Sequence, residues 1–259
     1  MNPKEEAAKK LYLEGIRDGD MNAIHKYTGA RYTQHNKSVK DGQEGFLEFF
    51  KGFVERNPDR DIQIIRSFVD GNYVFLNAYQ ELNKGQANHS RWVTMDIFDT
   101  DDNDKLIEHW DVIIPYVDKE NTTSGNDLIL GDFEPKDLDK TVENKALIRS
   151  FFVDVFQNKN YQNIENYIST EQYIQHNPQL DNGVGPIKQF LATEDFQYDF
   201  IFKVIGYGNY VASYSKAVLN KKEFAVMDLF RIEEGKIVEH WDVIEAIEPR
   251  EQWVNSGKF

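Results

Sequence analysis

Helical and strand periodicities follow one another twice along this chain. Ala146, Leu147, Phe151, Val155 and Phe156 recur at helical spacing in a segment that starts near Lys140. Its counterpart at the start of the chain opens on Asn2-Pro3, a cap followed by a first-turn proline, and runs to about Asp18. Short helices are predicted over 23–27 and 161–167, and a third pair over 45–54 and 186–192. Four strand-like runs then follow in the first half, at 62–69, 73–81, 90–98 and 106–116. Gly71-Asn72 and the Asp-rich stretch 99–104 supply turns between them, and Glu233-Glu234-Gly235-Lys236 predicts a tight hairpin in the second half. Helices first and an antiparallel meander afterwards make an α+β arrangement.

The two halves are copies. Tyr32-Thr33-Gln34-His35-Asn36 returns as Tyr173-Ile174-Gln175-His176-Asn177, and Gly71-Asn72-Tyr73-Val74 as Gly208-Asn209-Tyr210-Val211. Met95-Asp96-Ile97-Phe98 returns as Met227-Asp228-Leu229-Phe230. Glu108-His109-Trp110-Asp111-Val112-Ile113 returns as Glu239-His240-Trp241-Asp242-Val243-Ile244. Four blocks in one order mean a duplicated domain. The copies span 1–117 and 140–259, joined by a linker over 118–139 with seven acids and two bases. Like charge extends such a segment, so it is expected to be solvated at its start, with Leu128-Ile129-Leu130 docked on a domain.

Composition narrows the chemistry. The chain of 259 residues has no cysteine, which removes disulfides, thiolate nucleophiles and sulfur-ligated zinc from consideration. Its net charge of −14 argues against nucleic acid or an anionic membrane as partner. No apolar run resembles a secretory signal or approaches the roughly 20 residues that span a bilayer, so a cytoplasmic protein is expected.

Period-2 geometry puts His109 and Asp111 on one face of their strand and Glu108 and Trp110 on the other, and His240 and Asp242 repeat this. Asp96 and Asp228 lie in otherwise apolar strands and need partners, because an unpaired buried carboxylate costs several kcal/mol. Histidine exchanges protons near neutrality. One reading gathers His35, Asp96, His109 and Asp111 around one pocket and His176, Asp228, His240 and Asp242 around another. The competing reading has His35 and His176 fixing the backbone bend and the aspartates tying strands together. Tyr32, Trp92 and Trp110, with Tyr173, Phe224 and Trp241, are candidate apolar walls, although tryptophans such as Trp110 and Trp241 more often pack as core than serve as ligand contacts.

The Tyr-x-Gln-His-Asn block before a glycine bend, Met-Asp-(Ile/Leu)-Phe and the closing Glu-His-Trp-Asp-Val strand together resemble SnoaL-like proteins of the NTF2-like superfamily. The resemblance covers both copies. It implies two tandem cones, each a curved antiparallel sheet wrapped around helices and a ligand cavity. It also implies an intramolecular pseudo-dimer in a monomeric chain, in place of that family's usual homodimer. The best-known members are polyketide cyclases, which close rings by aldol condensation without metal or cofactor. Their acid/base aspartate corresponds to Asp111 and Asp242, with His109 and His240 two residues before.

The expected activity is therefore cofactor-independent acid/base chemistry, of aldol cyclase or isomerase type, on a small carbonyl-bearing apolar molecule. The alternative is a non-catalytic module that binds a small molecule. A metal site ranks below both, since no short-spaced helical His-x-x-x-His pair is present. Aligned through Met95 and Met227, His89-Ser90-Arg91-Trp92 in one copy corresponds to Lys221-Lys222-Glu223-Phe224 in the other, so the two pockets differ, and the sequence leaves open which one works.

Overall fold

The alternating runs of each copy pair in sequence order, as a meander requires. The computed structural model describes residues 2–131 and 133–259. In the first copy β2 (Arg60–Asp70), β3 (Tyr73–Leu82), β4 (Ser90–Thr100) and β5 (Leu106–Pro115) form antiparallel neighbours. A fifth strand, β1 (Thr28–Gln34), joins β5 in parallel, giving the order β1-β5-β4-β3-β2. The second copy repeats it with β6 (Ile174–Gln175), β7 (Phe196–Tyr207), β8 (Tyr210–Leu219), β9 (Lys222–Glu233) and β10 (Lys236–Ala246), ordered β6-β10-β9-β8-β7. The β9–β10 turn uses Glu234 and Gly235, with φ of 51° and 74°, the double left-handed geometry of a tight hairpin.

The parallel edge strands depart from the expected meander of four. β1 has one glycine and four polar residues among its seven, and β6 has only two residues, so neither shows a strand signature. Their partner lies more than 60 residues away, and only the folded sheet supplies it.

Helices α1 (Pro3–Lys10), α2 (Asn22–Tyr27) and α3 (Gly42–Arg56) pack with the first sheet in one hydrophobic core, and α4 (Thr141–Phe151) and α5 (Val184–Thr193) with the second in another. Asn2 caps α1 by accepting from Lys4 N at 3.0 Å. Both long helices widen into π-helical turns, Leu11–Arg17 and Phe152–Gln157, which carry Tyr12 and Phe152 toward the sheet. A 3₁₀ segment, Tyr161–Asn166, stands where the second copy's short helix is expected. No helix among the described residues is long and apolar enough to cross a membrane.

The compact units do not follow the copies to their ends. One unit is Met1–Tyr116 with Glu248–Phe259, and the other is Val117–Ile247. The linker thus belongs with the second copy, and the last twelve residues with the first. The linker docks earlier than its charge suggests: Thr123 N donates to Pro178 O at 2.9 Å and Ser124 Oγ to Gln175 O at 2.8 Å. Leu128 is buried, as expected, while Leu130 is exposed.

Candidate active site

Period 2 applies to the Tyr-x-Gln-His-Asn block as well, and it separates the histidine from its neighbours. In the first copy Gln34 Oε1 lies 3.0 Å from His109 Nδ1, and Asn36 Nδ2 donates to Asp111 Oδ2 at 2.6 Å. His35 turns to the opposite face, where it bonds Glu108 at 2.9 Å and stacks on Trp110 with centroids 5.0 Å apart. The second copy repeats both halves of the pattern. Gln175 Oε1 lies 3.0 Å from His240 Nδ1, and Asn177 Nδ2 donates to both oxygens of Asp242 at 3.0 and 2.8 Å. His176 bonds Glu239 at 2.9 Å and stacks on Trp241 at 4.7 Å. His35 and His176 are therefore not gathered with the aspartates, and Trp110 and Trp241 share their outward face. The motif's glutamine and asparagine, not its histidine, reach the interior.

Two triads do assemble. Asp96 and Asp111 are cross-strand partners, as are Asp228 and Asp242, and His109 and His240 stand beside them. In each triad the donor atoms lie within 4.8 Å of one another, and all three residues are buried. Asp96 accepts from Tyr12 at 2.5 Å and Thr94 at 2.7 Å, and lies 2.9 Å from His109 Nε2. Asp228 accepts from Tyr198 at 3.1 and 3.3 Å and Ser213 at 2.9 Å, and lies 3.0 Å from His240 Nε2. The tyrosine thus comes from a helix in one copy and from the sheet in the other. Burial beside the carboxylates pushes both tyrosine hydroxyls well above their ordinary pKa, so they stay protonated and donate.

Hydrogen-bond bookkeeping fixes a proton in the second triad. Gln175 Oε1 accepts from Asn177 N at 2.9 Å, which orients the amide and leaves its oxygen facing His240 Nδ1. His240 Nδ1 must then carry hydrogen, while Nε2 faces the Asp228 carboxyl. A proton must lie between Nε2 and Asp228, so the pair is an imidazolium–carboxylate or its tautomer. Burial pulls the His240 pKa down, but the Asp228 hydrogen bond and the charges of Asp242 and Asp228 outweigh it and leave it raised.

The third member separates the copies. Burial raises the Asp242 pKa, and the Asp228 charge adds to it against the opposing His240 charge and Asn177 bond. Burial acts the same way on Asp111, yet Lys258 and His109, with the Asn36 bond, hold its pKa below the ordinary carboxylate value. Lys258 Nζ donates to Asp111 O at 2.9 Å and lies 3.2 Å from Oδ1. In the second copy a cavity of about 380 Å³ opens onto Asp228, His240 and Asp242. Phe151, Phe152, Phe156, Phe190 and Phe230 wall it, together with the expected Tyr173 and Phe224, and no Lys or Arg lines it. Trp92, the counterpart of Phe224, bonds Ser90 Oγ through Nε1 at 3.1 Å.

Each triad also offers three oxygen or nitrogen ligands to a cation. In both, however, the imidazole Nε2 and one carboxylate are already bonded to each other, and hydroxyl and amide donors cover the remaining oxygens. A cation would have to displace a nearly complete hydrogen-bond set, so these residues fit a proton better than a metal.

Sequence reasoning passes over Gln34, Asn36, Gln175 and Asn177 as site residues, although alternation along their own block points them inward. Tyr12, Tyr198, Ser213 and Lys258 carry no local signal, because each reaches its aspartate across a large sequence separation.

Residues 10–109 match the SnoaL-like domain family. No curated protein matches the sequence. Among solved structures, a proposed polyketide cyclase from Acidithiobacillus ferrooxidans is 19% identical, with a TM-score of 0.39, over 43% of this chain and 88% of that one. A proposed ketosteroid isomerase from Kribbella flavida is 16% identical, with a TM-score of 0.38, over 42% and 84%. An NTF2-like protein of unknown function from Burkholderia pseudomallei is 11% identical, with a TM-score of 0.36, over 43% and 90%.

Proposed function

We propose that this chain, whose first copy is a SnoaL-like domain and whose two sheets form tandem NTF2-like cones, performs cofactor-independent acid/base chemistry in its second copy. The substrate is a small apolar molecule with an acidic C–H next to a carbonyl. The observation that carries this reading is the ending of the aromatic cavity on Asp242, a buried carboxylate with no Lys or Arg among the described lining residues.

The Asp242 carboxylate takes the proton from the carbon beside the carbonyl, and the electron pair moves onto the carbonyl oxygen as an enolate. Its raised pKa makes it a stronger base than an ordinary aspartate. Asn177 holds it in place through both oxygens. The proton held between His240 and Asp228 and the Tyr198 hydroxyl stand in the same cavity, where an apolar surround strengthens their pull on the enolate oxygen. In an isomerisation the proton on Asp242 returns to a different carbon. In an aldol closure the enolate carbon instead bonds to a second carbonyl carbon of the same molecule, and that oxygen takes the proton.

Hydrogen–deuterium exchange of β-tetralone, followed by NMR, tests the step without knowledge of the natural substrate. The wild-type chain is expected to speed exchange at the carbon beside the carbonyl, and Asp242→Asn to lose that acceleration while keeping its fold by circular dichroism. Bound β-tetralone that exchanges only at the buffer rate would overturn the reading and leave a binding cavity.

A further inference from the structure

The segments that follow the last strand of each copy form two equivalent straps. Gly257 O accepts from His35 Nδ1 at 2.5 Å, and Asp127 O accepts from His176 Nδ1 at 2.7 Å. Each histidine is held on its other side by a glutamate, Glu108 or Glu239, and is stacked on a tryptophan. Further bonds secure both straps. Asn255 Nδ2 donates to Asn36 O at 2.5 Å and Val39 O at 2.8 Å, and Val254 N to Lys37 O at 3.0 Å. On the other unit Asn126 Nδ2 donates to Gln175 O at 3.1 Å, and Trp241 Nε1 to Leu130 O at 2.8 Å. The outward histidines are thus anchors for the straps.

The straps differ at the residue after the anchored carbonyl. After Gly257 comes Lys258, 4% exposed, with its ammonium on Asp111. After Asp127 comes Leu128, 1% exposed. We propose that this position is a specificity determinant: Lys258 holds Asp111 as an ion-pair partner in place of a base, and Leu128 leaves Asp242 available. Among the described residues, Lys258 is the one Lys or Arg bonded to Asp111. Its other neighbours are His109 on β5, Asp96 on β4, Asn36 after β1, and the hydroxyls of Tyr12 and Tyr32. Around Asp242 stand His240, Asp228, His176, Asn177, Tyr173 and Tyr198. For Asp111 to accept a substrate proton, it would have to give up its charge and strand a buried lysine, which opposes the transfer. Asp242 bears no such penalty. The choice between copies is then made by one side chain on each strap.

The assignment rests on the proposed base role of Asp242 only for its effect on turnover, so the test reads proton affinity and exchange separately. Asp carboxyl groups labelled with ¹³C are titrated by NMR in the full chain, alongside β-tetralone exchange. Lys258→Leu is expected to raise the proton affinity of Asp111 at least tenfold, and Lys258→Arg to keep it low. Leu128→Lys is expected to lower the proton affinity of Asp242 at least tenfold and to slow exchange by a hundredfold or more. It stands on its own should Lys258→Leu fail to fold. Unmoved affinities at Asp111 in Lys258→Leu, or at Asp242 in Leu128→Lys, overturn the proposal whatever the exchange rates. Affinities that shift as expected in a chain that exchanges nothing support the counter-ion assignment and overturn the base chemistry alone.

Discussion

The two copies place the same three residues in the same register and give them opposite surroundings. Asp96 and Asp111 are bonded by Tyr12, Thr94, Asn36 and Lys258, whereas Asp228, His240 and Asp242 end a cavity of about 380 Å³. A buried carboxylate with an ammonium partner is stabilised as a charge, and one without such a partner is stabilised as an acid. The difference teaches that a repeated motif conserves geometry and leaves reactivity to whatever packs against it. In this chain that is a strap drawn from outside the motif.

The sharpest way to break the comparison is to remove each aspartate. Asp242→Asn is expected to reduce β-tetralone exchange by about 10²–10⁴-fold, the usual contribution of a positioned base. Asp111→Asn is expected to leave exchange within about twofold of wild type, as measured in parallel. Equal losses from both variants would erase the proposed division of labour.

Stability should show the opposite asymmetry. Lys258→Leu strands Asp111 as an uncompensated buried charge, at a cost of about 3–5 kcal/mol near neutral pH by urea denaturation. The folded pKa of Asp111 is depressed, so its stabilising contribution is present above the unfolded carboxylate value of about 3.9 and is lost as pH falls through the folded value. The penalty for Lys258→Leu should shrink over that acidic window. Asp242 has a raised folded pKa, so its contribution is present below the unfolded value and is lost as pH rises through the folded one. Asp242→Asn should therefore leave the protein as stable at neutral pH, or stabilise it.

The tyrosines sharpen the comparison further. Tyr12→Phe and Tyr198→Phe each remove a buried donor to a carboxylate and are expected to cost about 1–3 kcal/mol in thermal or urea melts. Only Tyr198→Phe should also slow exchange, since Tyr198 lines the open cavity. The smallest expected effect is at the helix starts. Asn2→Ala should cost about 1 kcal/mol, because Asn2 caps α1, while Lys140 makes no side-chain cap on α4 and Lys140→Ala should be neutral within error.

Much of the architecture was legible in the residues because it is periodic and local. A cap followed by proline placed the first long helix and apolar spacing the second, strand-like runs placed the four central strands, and alternation put His109 with Asp111. The parallel edge strands were not legible, since Thr28–Gln34 lacks an alternating apolar face and becomes a strand by pairing with β5. His35 and His176 drew attention as titratable groups, yet one residue of register sends them to the far side of the strand. That same register makes Gln175 and Asn177 the residues that orient His240 and Asp242.

By itself the sequence determined the duplication, the α+β class, and the spacing that puts an imidazole and a carboxylate on one strand face. These follow from period and repetition, which are properties of a chain read in order. Only the tertiary structure decided which aspartate carries an ammonium and which faces a cavity, because those contacts join positions far apart. Lys258 lies 147 residues from Asp111, and Tyr198 lies 30 from Asp228. The free energy of a buried charge depends on what folding brings within a few ångströms, so two copies of one motif can end with opposite proton affinities.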